Sequence, residues 1–148
     1  MKLAIGADHR GYEYKETIKH EISAHNKNRI EWIDVGTFSK ERTDYPIFAK
    51  LVSEHIVNGK ADAGILICGS GVGMAITANR YAHIYAALVW NKDVARISRE
   101  QDNSNVLVLP SDFITQADAL EMVQSWLAAS FQGDRYQKRI EMIDAITR

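Results

Sequence analysis

Cysteine is almost missing from this chain of 148 residues, where Cys68 stands alone. One thiol excludes an internal disulfide and any zinc site built from several cysteines. A charge surplus is missing too. With 18 Lys and Arg against 19 Asp and Glu, the formal charge is −1, and no basic excess exists to hold a nucleic acid backbone. No apolar run approaches the roughly 20 residues that a membrane-spanning helix needs. No Pro/Ser-rich linker, internal repeat or low-complexity tract divides the sequence, so residues 1–148 read as a single domain, and a hydrophobic content of 46% supplies a full core. A secretory leader is not seen: Lys2-Leu3-Ala4-Ile5-Gly6-Ala7 reads as a strand, and a soluble, cytoplasmic protein is expected.

What the chain does have is a regular alternation. Strand-like runs lie at residues 2–7, 30–35, 63–67, 84–89 and 105–109. Between them, apolar residues recur at helical spacing, as in Tyr14-Ile18-Ile22, Phe48-Leu51-Val52-His55-Ile56 and Ala119-Met122-Val123-Trp126-Leu127. Short intervals favour parallel strands with right-handed crossovers. The expected fold is therefore α/β, a Rossmann-like three-layer sandwich around a five-stranded parallel sheet. After Phe131-Gln132-Gly133 comes a charged tail that reads as a further helix.

Chemistry concentrates in Ile65-Leu66-Ile67-Cys68-Gly69-Ser70-Gly71-Val72-Gly73-Met74. The short apolar run is an inner strand, which puts Cys68 at its carboxyl end, where ligands bind in open α/β sheets. Glycines at alternate positions let backbone N–H groups close around an anionic oxygen as the next helix begins. This is not a dinucleotide fingerprint, because Met74 stands where the third glycine is needed. Nor is it a phosphate loop of the nucleotide-binding kind, since no lysine follows the glycines. A tight turn with a buried, inert cysteine is the competing structural reading.

In a parallel sheet the segments after the strands meet on one rim. Asp8-His9-Arg10-Gly11, Gly36-Thr37, residues 68–73 and Trp90-Asn91 are expected there together. Asp8 and His9 have the chemistry to hold a sugar hydroxyl and exchange protons, and Cys68 that of a thiolate base on carbon or a nucleophile on a carbonyl. Each also has a plain role open to it: Asp8 as a helix cap, His9 as a surface residue.

Five ordered motifs carry a resemblance. Gly6-Ala7-Asp8-His9-Arg10-Gly11, Asp34-Val35-Gly36-Thr37, Arg42-Thr43-Asp44-Tyr45-Pro46, residues 67–73 and Ala78-Asn79 together resemble ribose-5-phosphate isomerase type B, over nearly the whole chain. The superfamily includes galactose-6-phosphate isomerase subunits and relatives acting on allose 6-phosphate. The resemblance implies interconversion of ribose 5-phosphate and ribulose 5-phosphate through a cis-enediolate, without metal or other cofactor. Cys68 would be the base, a reading supported by Met74 where some members carry a glutamate. Ser70 would shuttle protons between the two oxygens, and the amides of Gly69, Gly71, Val72 and Gly73 would stabilise the enediolate. Asp8, His9 and Tyr45 would contact the sugar or its phosphate. Arg135 and Arg139, four apart on one helical face of the tail, match a phosphate-binding pair.

Three departures qualify the match. Where the family has a histidine that opens the furanose ring, this chain has Gln101, which is left a substrate-binding role; Asp102 is the expected replacement for the proton transfer, with His9 the alternative. Asp112 stands where a further phosphate-contacting arginine is expected, and Arg10 or Arg80 would have to supply the lost charge. Tyr136 replaces a histidine beside the first tail arginine. A six-carbon sugar phosphate as substrate, or a silent sugar-phosphate binder, are the alternatives these changes keep open. The resemblance further implies a homodimer, or a tetramer of paired dimers, in which the tail from about residue 132 packs on the partner subunit and completes its pocket. Tyr81, His83, Tyr85, Ile140, Ile143 and Ile146 are the apolar positions expected to serve that contact, or else the core.

Overall fold

The computed structural model describes residues 1–25 and 30–146; the last two residues of the tail lie outside that range. The described elements are β1 (Lys2–Ala7), α1 (Tyr12–His25), β2 (Glu31–Asp34), α2 (Tyr45–Val57), β3 (Ala63–Cys68), α3 (Val72–Ala78), β4 (Ala86–Leu88), α4 (Lys92–Asp102), β5 (Val106–Pro110), α5 (Gln116–Ala128) and α6 (Arg135–Asp144). The five strands form one sheet in the order β2-β1-β3-β5-β4, with every neighbouring pair parallel.

Alternation along each strand builds the layers. Leu3, Ile5 and Ala7 of β1, with Ile65 and Ile67 of β3, pack against Ile18 and Ile22 of α1, Ala95 of α4 and Trp126 of α5. Ala4, Leu66 and Cys68 point the other way, onto Phe48 and Val52 of α2 and Met74 of α3. All six residues of β3 are buried, as a central parallel strand covered on both faces requires. Truncating Leu66 to alanine would cost about 2–5 kcal/mol through lost burial and the cavity left behind.

Helix starts are written locally. Asn91 caps α4 by accepting from the Val94 N–H at 2.9 Å, and Thr115 and Asp118 form a reciprocal capping box on α5. The expected strand at residues 84–89 is trimmed to Ala86–Leu88. The Ile84 N–H turns back to the Tyr81 carbonyl, and the Asn79 side chain takes both the N–H and the carbonyl of Ala86.

The tail helix α6 lies against α4 of its own chain and buries Tyr136 and Ile140, while Met142, Ile143 and Ile146 stay exposed. Its end is tied to the entry of β4 by the Tyr85 hydroxyl, which donates to Asp144 at 2.8 Å. Burial, together with that carboxylate, pushes the Tyr85 phenol up to about 12. Ile140 and Tyr85 thus serve packing within the chain rather than leaving a bare apolar face.

Strand order positions the site. The chain leaves β1 toward β2 on one side and returns to β3 on the other, so a crevice opens between the carboxyl ends of β1 and β3. Asp8 and Cys68, the residues at those two ends, frame it.

Candidate active site

Cys68 closes β3 and pairs in register with Pro110 of β5. Its side chain is 4% exposed, and its sulfur accepts the backbone N–H of Gly71 at 3.2 Å. Gly71 makes this contact because its φ of +74° turns the chain into α3, a conformation that costs glycine little. Burial pushes the Cys68 thiol above its ordinary pKa. The amides of Gly71, Met74 and Ser70 oppose that rise, while the negative charge of Asp8 adds to it.

One cavity opens over this turn, and a second shares part of its wall. One, of about 380 Å³, is bounded by Asp8, Arg10, Tyr45, Cys68, Gly69, Ser70, Gly73, Asp112 and Phe113. The other, of about 490 Å³, shares Asp8, Arg10 and Tyr45 and adds His9, Arg42, Thr43 and Asp44. Both fall within the ordinary size range of small-molecule sites, roughly 300–1,000 Å³.

Each wall has a local cause. Asp8 is buried, and its Oδ1 accepts the N–H groups of Arg10 at 2.9 Å and Gly11 at 3.1 Å, so it both caps the turn into α1 and lines the pocket. His9 Nδ1 accepts the Thr43 N–H at 3.3 Å, which leaves the ring proton of a neutral imidazole on Nε2. The Thr43 hydroxyl is buried without a hydrogen-bond partner among the described residues, a condition that costs about 1–3 kcal/mol. Tyr45 opens α2 and rests its ring on Gly73, where any Cβ would collide with it. The Ser70 hydroxyl is exposed and accepts the Val72 N–H at 3.3 Å.

A model of the family described as Ribose/Galactose Isomerase matches residues 3–143. The chain belongs to the ribose/galactose isomerase family. It is an isomerase by that membership. Ribose-5-phosphate isomerase B of Escherichia coli (strain K12) is 44% identical over 146 residues, covering 98% of this chain and 95% of the relative. The crystal structure of a ribose 5-phosphate isomerase from Thermotoga maritima superposes with a TM-score of 0.93 at 43% identity, covering 98% of each chain. That of ribose-5-phosphate isomerase B from Mycoplasma genitalium, with bound ribulose-5-phosphate, superposes with a TM-score of 0.89 at 36% identity, covering 97% of this chain and 93% of that one.

Within this ribose/galactose isomerase chain, the fold gathers Asp8, His9, Tyr45, Cys68, Gly69, Ser70 and Gly73 at one crevice, and Gly71 and Val72 complete the turn beneath it. Gln101 and Asp102, in the last turn of α4, line neither cavity. Arg135 and Arg139 do not either; they flank the Tyr136 ring, with guanidinium carbons 4.9 and 5.5 Å from its centre. Trp90 and Asn91 follow β4 on this rim, as expected, but line neither cavity. Asn91 is engaged as the α4 cap, and Trp90 is 63% exposed. Asp112 does face the pocket, paired with Arg10 rather than standing as a bare negative charge.

Three contributors had little signal in the sequence. Phe113 follows the last strand with no motif to mark it. Arg42 sits in a motif but carries no spacing that points it inward. Ser111 stitches the site from beneath, its hydroxyl 3.2 Å from the carbonyl oxygens of both Arg10 and Cys68.

Proposed function

We propose that this isomerase interconverts ribose 5-phosphate and ribulose 5-phosphate, without metal, through a cis-enediolate. The observation that carries the reading is the sulfur of Cys68 at the wall of a small cavity that Asp8, Arg10, Ser70 and Asp112 also line, facing the N–H-rich turn that starts α3. The relative from Mycoplasma genitalium, which binds ribulose-5-phosphate, supports the same substrate.

The steps follow from the donors present. The Cys68 thiolate takes the proton from C2 of the open-chain aldose. The electron pair released forms the C1–C2 double bond, and the C1 carbonyl oxygen takes up the negative charge. Amides of residues 69–73 stabilise that charge, since donors fixed in place need no reorganisation as it develops. Ser70 carries the hydroxyl proton from O2 to O1, and the thiol returns its proton to C1. Asp8, His9 and Tyr45 hold the sugar.

The site is completed in a homodimer, the basis of any larger tetramer. Gln101, Asp102, Arg135 and Arg139 lie away from the cavities of their own chain, which fits delivery of these residues by a second copy. In that arrangement the tail arginines hold the phosphate. Furanose ring opening falls to Asp102 of the partner subunit, or to His9, which lines the second cavity. The setting of such an enzyme is the cytoplasm.

Initial rates on ribose 5-phosphate, allose 6-phosphate and galactose 6-phosphate test the assignment. The highest kcat/KM on ribose 5-phosphate is expected. A preference for either six-carbon substrate would overturn the substrate, and binding of all three without turnover would overturn the catalytic role.

A further inference from the structure

We propose that Arg10, held across Gly69 by Asp112, is a ligand for the phosphate of the substrate; the proposal deepens, and rests on, the sugar-phosphate reading above. Arg10 and Arg42 are the arginines that line the two cavities, and Arg10 alone lines both. A phosphate dianion entering this crevice gives up part of its water and gains from a cation in exchange.

Arg10 is prepared for that task from three directions. Its N–H is fixed by Asp8, its carbonyl lies 3.2 Å from the Ser111 hydroxyl, and its guanidinium is paired with Asp112. The pair lies directly on the Gly69 backbone: a Cβ there would sit 2.7 Å from Asp112 Oδ2 and 2.8 Å from Arg10 Nε, so a side chain at this position would push the two groups from their present places. Asp112 is itself anchored, its N–H donating to the Gly69 carbonyl at 3.0 Å.

The energetics separate a structural role from a functional one. With Arg10 56% and Asp112 32% exposed, the pair is an ordinary half-solvated bridge, a type that adds little to stability. Its consequence lies in orientation. Asp112 engages one terminal nitrogen, Nη2, and the guanidinium carries further donors in a rigid fork, so a fixed Arg10 presents them with much of the side-chain entropy already lost. Arg10 thereby places a cation in the cavity that Cys68 also lines, although the residue after Ser111 is acidic.

The test uses two readouts. Inorganic phosphate is titrated by calorimetry into the wild-type protein and Arg10→Ala, and KM and kcat for ribose 5-phosphate are measured on both. Phosphate affinity is expected to fall, and KM to rise, by about 10- to 100-fold, with kcat changed less than about 3-fold and the thermal midpoint unmoved. Equal phosphate affinity in the two proteins, or a loss confined to kcat, would overturn the role. A charge exchange tests Asp112: Arg10→Asp alone is expected to lose phosphate binding, and adding Asp112→Arg to restore most of it. No recovery in the double variant would refute the pairing as the positioning element. Should the wild type show no turnover of ribose 5-phosphate, the assigned reaction fails while the phosphate titration still decides Arg10.

Discussion

Gly71 donates its backbone N–H to the sulfur of Cys68 at 3.2 Å, from a residue whose left-handed backbone begins α3. In the proposed mechanism the contact places a donor where negative charge is carried, first on sulfur and then on the substrate oxygen. It does not outweigh burial, and the thiol stays above its ordinary pKa.

A pH dependence follows with a definite sign. A raised thiol pKa means that the neutral form dominates near pH 7 and that the thiolate grows as pH climbs through the raised value. With Cys68 as the base, kcat/KM rises with pH along a limb whose midpoint lies above the ordinary thiol value of about 8.5, and alkylation of Cys68 by iodoacetamide follows the same curve. Asp8→Asn is expected to move the alkylation midpoint down, because it removes a negative charge that disfavours the thiolate. A wild-type midpoint below the ordinary value would contradict this reading of the site.

Gly73→Ala tests the floor of the pocket. The added methyl group meets the Tyr45 ring, so the ring must leave its place. Small-to-large changes at packed contacts cost about 1–3 kcal/mol, and a comparable loss in kcat/KM for ribose 5-phosphate is expected with the protein still folded. Unaltered kinetics would remove Tyr45 from the substrate contacts.

Much of the fold and the site was legible in the sequence, for physical reasons that differ by residue. Cys68 was readable because β-branched and glycine residues flank it on opposite sides, which marks the end of a buried strand. The five strands were readable from their apolar runs; the second was overextended by one residue at each end and the fourth by more, since nothing local announces that Asn79 reaches across to Ala86. The Arg10–Asp112 pair was hidden. The two residues are about a hundred positions apart, each reads alone as a surface charge, and only the adjacency of the β1, β3 and β5 ends brings them together over Gly69. Trp90 and Asn91 misled because a cap residue and a site residue share the same place, the turn between a strand and a helix.

Ser111→Ala addresses the stitching beneath the site. It removes a hydroxyl lying between the carbonyls of Arg10 and Cys68, and a loss of about 1 kcal/mol in unfolding free energy is expected from denaturant titration. Phosphate binding should weaken with it, since Arg10 loses an anchor. Stability and binding both unchanged would show that the hydroxyl plays no part in holding the two loops.

Complementation tests the shared site. Cys68→Ala and Arg135→Ala are each expected to be impaired alone, the second through a raised KM. Mixed after unfolding and refolding together, they should regain activity, because a hybrid dimer holds one pocket with Cys68 from one subunit and Arg135 from the other. No regain would place the tail arginines outside the active site.

The catalytic proposal depends above all on Cys68 as the base of a metal-independent isomerisation. The direct measurement is turnover of ribose 5-phosphate to ribulose 5-phosphate by chelator-treated protein, with folded Cys68→Ala alongside. Full turnover by the wild type and a loss of at least about 1,000-fold in the variant are predicted, as expected for removal of a base acting in the transition state. A variant that keeps most of its rate, or a wild type that stops when metal is removed, would contradict it.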